Sequence, residues 1–260
     1  MVMDKTGLSK IRKSIIQVAA KSGEGHIPSS FSILDLLWVL YDRVMKIYPH
    51  DPRNQERDRF VLSKGHASLG LYAVLADKGF FPVAELDGFC SIDSRLGGHP
   101  DCNKVPGVEV SCGSLGHGFP MAVGMAWGLK IANNPARVFA LVGDGECNEG
   151  TIWESALLAV HQKLTHLTCI VDFNHSTDRA LLLGDLVDKF RSFGWDARGI
   201  DGHDHEAIYD ALSAPATDKP RAIIAETIKG YGCKPMENNP EWHHKSPKPE
   251  EVDALLAQTI

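Results

Sequence analysis

The chain has 260 residues, of which 43% are hydrophobic and 23% are charged, as is ordinary for a water-soluble globular protein. Its 27 basic and 33 acidic side chains give a formal net charge of −6, which favours neither nucleic acid nor a membrane surface as a partner. We find no signal-peptide core and no apolar run of membrane-spanning length, and the six scattered cysteines include no CxxC pair. These features predict reduced thiols and a cytoplasmic location.

Helices and strands are predicted to alternate along the chain. Helices are expected at 8–20 and at 30–48, with Ser30 or Ser32 as the N-cap of the second. The elements expected after them are a strand, a KGHA turn and a helix within 57–79, a loop-rich segment at 85–110, a glycine-rich turn and a helix at 111–132, a strand at 138–142, a helix at 151–163, a strand at 167–173, a loop at 175–185, a helix at 185–195, a strand at 196–200, a helix at 205–214, a strand at 220–228, an ordered loop or flexible arm at 230–249 and a helix at 250–258. This alternation is typical of an α/β fold with a doubly wound, mostly parallel sheet flanked by helices. No linker or repeat divides the sequence, so we expect a single domain over residues 1–260.

The GDG sequence around Asp144 places a carboxylate between two glycines at the end of the predicted strand 138–142. Taken alone, Asp144 is typical of a turn. However, the helix at 151–163 connects this strand to the one at 167–173, so the two strands should be parallel neighbours, with Asn174 close to Asp144 at one edge. A carboxylate and an amide oxygen suit Mg²⁺ or Ca²⁺, and a diphosphate is the natural bridging partner of such an ion.

Five of the twelve histidines directly follow a glycine, and each stands at a predicted loop or element junction: His26, His66, His99, His117 and His203. Histidines in such loops are more typical of ligand contacts than of core packing. We expect His26 and His66, which precede predicted helices, to hydrogen-bond phosphate or sugar hydroxyls or to transfer protons. Their spacing does not indicate a metal site.

Several stretches of the sequence resemble the transketolase family. GDGECNEGTIWES, followed by VDFN, resembles the thiamine diphosphate signature, in which an asparagine follows GDG at the distance of Asn174. SGEGHIPSSFSILDLL, DRFVLSKGHASLGLYAVLADKG, GGHP with GSLGHG, and KGYG with EWHH resemble further transketolase motifs in the family's order. The matches run from residue 8 to about residue 249, which is nearly the whole chain. The resemblance implies a thiamine-diphosphate-binding fold, and specifically the domain that binds the diphosphate.

The resemblance also implies roles for individual residues. Asp144, Asn174 and the backbone carbonyl of Ser176 would hold the metal ion, Mg²⁺ or Ca²⁺. The residues implied to bind thiamine diphosphate are His66, Gly113, Ser114, Leu115, Asp144, Gly145, Glu146, Asn174 and His243. The histidines implied to transfer protons or to position substrate hydroxyls are His26, His66, His99 and His243, with His243 as the first choice for catalysis.

Three places depart from the family's motifs. GEGHIPSS stands where SGHPG is usual, His117 replaces a usual glutamine, and His244 stands where glycine is usual. These changes surround the substrate, so they bear on which sugar is used more than on cofactor binding.

A full transketolase carries a pyrimidine-binding domain and a C-terminal domain after the domain found here, so the resemblance implies a split enzyme. A partner chain would supply the pyrimidine-binding domain and phosphate-binding arginines, and a heterotetramer is the expected assembly. The enzyme would transfer a two-carbon ketol unit from a ketose, or ketose phosphate, to an aldose. The small residues of MAVGMAWGLKIA, at 121–132, allow close helix packing either across a subunit boundary or within the sheet layer.

Alternative functions remain open from the sequence. One is an acyloin-forming or 2-oxo-acid-using enzyme subunit with the same cofactor, although the Gly-His turns favour polyol sugars, whose hydroxyls need several donors and acceptors. Another is a non-catalytic cofactor-binding module. A Rossmann nucleotide-binding protein is disfavoured, because GSLGHG lacks the GxGxxG spacing and no P-loop is found.

Overall fold

The computed structural model describes residues 5–178 and 180–260. The helices are α1 (Lys5–Ser22), α2 (Ile27–Val39), α3 (Ser68–Asp77), α4 (Gly118–Ile131), α5 (Gly150–His161), α6 (Leu186–Ser192), α7 (His205–Ser213) and α8 (Pro249–Ala257). The strands are β1 (Arg59–Leu62), β2 (Val138–Gly143), β3 (Leu167–Phe173), β4 (Asp196–Asp201) and β5 (Arg221–Glu226). Within this part of the chain, no helix combines the length and the hydropathy needed to cross a bilayer.

The five strands form one parallel sheet in the order β1-β2-β3-β5-β4. Alternate residues of β2 face opposite sides: Phe139 and Leu141 join a core with α1, α2, α3, α7 and α8, whereas Val138 and Val142 join a second core with α4, α5 and α6. Because both faces are covered, β2 is apolar and buried along its whole length. The predicted doubly wound α/β fold is confirmed.

The second helix begins earlier than the sequence pattern predicts. It starts at Ile27, with His26 as the N-cap in the left-handed region at φ 66° and with Pro28 in its first turn, where a proline is pre-organised for helix. The predicted cap at Ser30 or Ser32 is therefore wrong. Both serines are buried within α2, and their hydroxyls serve other segments: Ser30 Oγ accepts the N–H of Gly70, and Ser32 Oγ donates towards β3.

The segment 230–249 is an ordered loop rather than a flexible arm. It contains one 3₁₀ turn, Pro240–Trp242, and it buries the side chains of Met236 and Trp242 in the core beside α1 and α2. Ser246 Oγ donates to the carbonyl of Ala19 at 2.6 Å, which fixes the end of the loop on α1. This packing places the EWHH sequence at the carboxyl edge of the sheet.

Candidate functional site

Asp144 and Asn174 converge at the carboxyl ends of β2 and β3. The two strands are neighbours, with Gly143 opposite Asp172 in the register. The backbone N–H of Ser176 donates to both side chains, to Asp144 Oδ2 at 2.9 Å and to Asn174 Oδ1 at 3.1 Å. Two oxygens that share one donor lie close together, so the adjacency predicted from the crossover is present.

Asp172, which is fully buried two residues before Asn174, organises this edge. It forms an ion pair with Lys64 Nζ at 2.5 Å and accepts hydrogen bonds from Ser32 Oγ and Thr227 Oγ1. It also accepts the amide N–H₂ of Asn174 at 2.8 Å. Because the nitrogen of that amide is held by Asp172, its oxygen is turned towards Asp144.

The carboxylate of Asp144 lacks a cation. It is 2% exposed, and among residues 5–178 and 180–260 no lysine, arginine or histidine forms an ion pair with it. Burial raises the pKa of Asp144, and the nearby charge of Asp172 raises it further. A bound divalent cation would offset both effects. No cluster of three His, Cys, Asp or Glu side chains occurs in the described residues, so an ion here would need backbone, amide or ligand oxygens.

Lys229 presents the complementary feature, a cation without a carboxylate partner in the described part of the chain. Burial, followed by the charge of Lys64, lowers its pKa to about 8. Its Nζ donates to His243 Nδ1 at 3.2 Å, so the proton of a neutral His243 ring resides on Nε2. Lys229 therefore lacks an anionic partner among the described residues and fixes the tautomer of His243.

Four imidazole rings gather beside these charges. The ring centroid of His26 lies 5.2 Å from that of His66, 5.7 Å from that of His243 and 4.4 Å from that of His244. Nδ1 of His26 is buried and has no hydrogen-bond partner in the described residues. A Cβ at Gly25 would lie 2.4 Å from the carbonyl oxygen of His244, so only glycine allows the two segments to meet this closely.

The pKa values of His26, His66 and His243 are all lowered, which favours the neutral form of these three rings. Burial, with the charge of His244 next, lowers the pKa of His26 to about 4, and burial with the charge of Lys64 lowers that of His66 to about 2. Burial and the charge of Lys229 also lower the pKa of His243. Neutral imidazoles donate and accept single hydrogen bonds, which suits hydroxyl groups. An anion bound at Lys229 would raise all three pKa values.

Most of the predicted residues line a single cavity of about 250 Å³. They are His26, His66, Leu115, Asp144, Gly145, Glu146, Asn174, Ser176 and His243. His99, Gly113 and Ser114 lie outside this lining; a Cβ at Gly113 would meet the His99 ring at 3.7 Å, so these two residues are neighbours. The carboxylate of Glu146 accepts its hydrogen bonds from protein donors.

Besides Gly143, three residues of the cavity were not predicted as ligands. Lys64 and Lys229 each follow a buried strand at the carboxyl edge, a position that could have identified them. Ser29 is 1% exposed, and its hydroxyl has no partner in the described residues. The sequence pattern did not indicate Ser29, because it lies in the first turn of α2 only if that helix begins at Ile27.

His203 does not join the site, contrary to the expectation for a loop histidine. Its side chain is 8% exposed, its Nδ1 lies 3.0 Å from Asp35 Oδ2, and its Nε2 accepts the backbone N–H of Ile228 at 2.8 Å. It stacks on Tyr231 at a centroid distance of 3.6 Å. His203 therefore ties the segment after β5 to the core. His117, in contrast, is exposed at the start of α4.

Comparison with known proteins identifies the class to which this fold and site belong. The family model described as transketolase, thiamine diphosphate binding domain, matches residues 3–259. The chain therefore belongs to the transketolase family, and the resemblance found in its motifs is confirmed.

The individual relatives are consistent with this family. The chain is 40% identical to the 6-deoxy-6-sulfo-D-fructose transketolase subunit SqwG of Clostridium sp. strain MSTE9, over 95% of this chain and 93% of that protein. It is also 40% identical to an apulose-4-phosphate transketolase subunit of Actinobacillus succinogenes, over 95% of this chain and 92% of that protein. The crystal structure of Pichia stipitis transketolase with sedoheptulose 7-phosphate superimposes with a TM-score of 0.90 and 28% identity, over 98% of this chain. This chain spans 41% of that solved chain.

Proposed function

We propose that this chain is the diphosphate-binding subunit of a two-chain transketolase, which transfers a two-carbon ketol unit from a ketose to an aldose. One observation carries the proposal: an anion, a cation and two polar atoms without partners in the described residues face one cavity at the carboxyl edge of the sheet. Asp144 is an anion without a cation, Lys229 is a cation without an anion, and His26 Nδ1 and Ser29 Oγ lack partners in the described residues. A diphosphate with a divalent cation would match Asp144, Lys229 and Ser29, and a sugar hydroxyl would match His26 Nδ1.

In this proposal, Asp144, Asn174 and the backbone carbonyl of Ser176 hold Mg²⁺ or Ca²⁺. Both side-chain oxygens already converge, and the acceptor-only chemistry of a carboxylate and an amide oxygen suits a hard cation. Lys229 and Ser29 face the diphosphate, and Gly145 lets it come close to the turn. Bound thiamine diphosphate supplies a stabilised carbanion, with which carbon–carbon bonds next to a carbonyl are broken and formed.

The histidines act on the substrate. His26, His66, His99 and His243 bind the hydroxyls of the sugar, and His243 moves a proton through Nε2, because its Nδ1 is occupied by Lys229. Lys229 also holds His243 in one orientation.

The other half of the site belongs to a partner chain that carries the pyrimidine-binding and C-terminal domains, in a heterotetramer. The two relatives at 40% identity are named as subunits, whereas this chain matches only two fifths of a one-chain transketolase. On this chain the surface of α4 supports a close partner. Met121, Trp127 and Ile131 are exposed along one face, and a Cβ at Gly124 or Gly128 would meet nothing within 4 Å. Glycines that no intrachain contact requires suit a second helix packed closely against this face.

The sugar is not assigned by similarity, because the two relatives at equal identity are named for different sugars. The single domain over residues 1–260 and the cytoplasmic location stay predictions; the six cysteines, all unpaired, support a reducing compartment.

Calorimetry and co-purification test the proposal. Asp144→Ala should abolish Mg²⁺-dependent binding of thiamine diphosphate by the assembled enzyme, whereas Asp188→Ala, on the exposed surface of α6, should leave it unchanged. Pull-down from the native host should recover a chain that completes the transketolase length, and ketol transfer should require both chains. Vigorous transfer by this chain alone would refute the split-enzyme proposal, and turnover of 2-oxo acids in preference to ketoses would favour the alternative subunit class.

A further inference from the structure

Glu146 is a buried anion that contacts three different segments of the proposed cofactor site. It lies in the 3₁₀ turn Gly145–Asn148 and is 1% exposed. Its Oε1 accepts the hydroxyl of Ser63 and the backbone N–H of Gly116 at 2.9 Å, and its Oε2 accepts the N–H of Gly143 at 3.2 Å. Among the described residues no lysine or arginine forms an ion pair with it, so its hydrogen bonds, together with the nearby charge of Lys64, offset its burial only in part, and its pKa is raised.

Each donor lies in a segment that contains a predicted cofactor contact. Ser63 follows β1 and precedes Lys64 and His66, Gly116 follows the loop Gly113–Leu115, and Gly143 precedes Asp144. One carboxylate thus links the turn at the metal end of the site to the loop predicted to contact the aminopyrimidine.

Both backbone groups of Gly116, its N–H and its C=O, are hydrogen-bonded. While its N–H donates to Glu146, its carbonyl accepts Thr151 Oγ1 at 2.7 Å. Its φ of +79° and the 2.7 Å approach that a Cβ would make to Glu149 leave glycine as the fitting residue. Ser63 Oγ accepts the N–H of Phe119 at 2.9 Å, which satisfies a first-turn donor of α4. The loop before α4 is therefore held by hydrogen bonds that lead back to Glu146, in the turn that follows the GDG sequence.

We infer that Glu146 is a positioning residue that holds the loop Gly113–Leu115 and the Asp144 turn at a fixed separation, and thereby presents both ends of the thiamine diphosphate site. The inference rests on the proposed function, and it replaces direct cofactor contact as the role of Glu146. All three neighbours are donors, so the site requires a carboxylate. Glutamine has the same shape, but its N–H₂ group would face at least one donor.

The test is Glu146→Gln in the full chain, with Asp58→Asn as the matched control. Asp58 is also a buried carboxylate that accepts two backbone N–H groups, those of Lys46 and Arg137, but it pairs in addition with the guanidinium of Arg137 and precedes β1 at the opposite edge of the sheet. In the ligand-free chain, hydrogen exchange at Gly116, Gly143 and Phe119 should accelerate about tenfold or more in Glu146→Gln, and these three amides should not accelerate selectively over the rest of the chain in Asp58→Asn. If Glu146→Gln does not fold, Ser63→Ala should produce a smaller acceleration at the same amides.

The second measurement is the Kd of Mg²⁺–thiamine diphosphate for the chain assembled with its partner. Glu146→Gln should weaken binding about tenfold, whereas Asp58→Asn, although destabilised, should bind as the wild type does. Wild-type exchange rates in Glu146→Gln would overturn the inference, and so would faster exchange with unchanged affinity. If the wild-type assembly binds no thiamine diphosphate, the proposed function fails, while the exchange rates still decide whether Glu146 holds the loop.

Discussion

Replacing Asp172 by asparagine should be among the most damaging conservative changes in the chain. The side chain of Asp172 is fully buried, and its ion-pair partner Lys64 is 2% exposed. Asparagine keeps the shape but removes the charge, so a buried ammonium group loses its counter-ion. The hydroxyls of Ser32 and Thr227 also lose a charged acceptor.

The magnitude follows from the burial of both partners. Removing one member of a buried ion pair costs about 3–5 kcal/mol, whereas an exposed pair contributes about 0–1 kcal/mol. The folding equilibrium constant should therefore fall about 10²- to 10⁴-fold. Burial alone would raise the pKa of Asp172, but the charge of Lys64 and the hydrogen bonds outweigh burial and lower it. The contribution of Asp172 is therefore complete above its unfolded pKa of about 3.9 and is lost as the pH falls through the folded pKa.

Urea unfolding followed by circular dichroism at pH 7 measures the effect. Asp188→Asn is the control, because its pair with Arg191 is exposed and should contribute almost nothing. Lys64→Met combined with Asp172→Asn should recover more than half of the loss, since no buried charge is then left alone. A free energy of unfolding for Asp172→Asn within about 1 kcal/mol of the wild-type value would refute the reasoning.

Three further predictions concern the histidines and α4. His243→Ala should depress kcat of the assembled enzyme at least about 10²-fold with little change in cofactor Kd, as expected for a proton-transfer group; an equal loss in both would contradict the assignment. Because the pKa of His66 is lowered to about 2, the unfolded chain binds protons below pH 6.5 that the folded chain does not, so stability should fall as the pH drops from 6.5 towards 2, and His66→Asn should flatten this slope in urea titrations. Gly124→Ala should stabilise the isolated chain by about 0.5–1 kcal/mol in thermal unfolding but weaken partner binding; unchanged affinity would remove α4 from the interface.

The pairing of Asp144 with Asn174 shows what local sequence can predict. A strand, a helix and a second strand form a crossover whose handedness and parallel direction are nearly invariant, so residues after the two strands must share an edge. The cap of α2 shows the opposite case. Ser30 and Ser32 fit a local capping pattern, but their hydroxyls contact Gly70 and Asp172, which lie far along the chain, and Pro28 starts the helix earlier.

The histidines show the same difference between what local sequence predicts and what the tertiary structure decides. The sequence by itself showed five of them directly after glycines at predicted element junctions, and its motifs identified the family. Both signals are local, because a few consecutive residues are enough to specify a turn or the end of a strand. The sequence favoured His26 and His66, which precede predicted helices, and only the tertiary structure placed both at the cavity and His203 against Asp35, outside the cavity lining. It alone also decided the charge states, since burial and neighbours such as Lys64 and Lys229 come from segments far apart in sequence. Desolvation and Coulomb interactions depend on distance in space, and that distance is set only when the sheet and its two helical layers assemble.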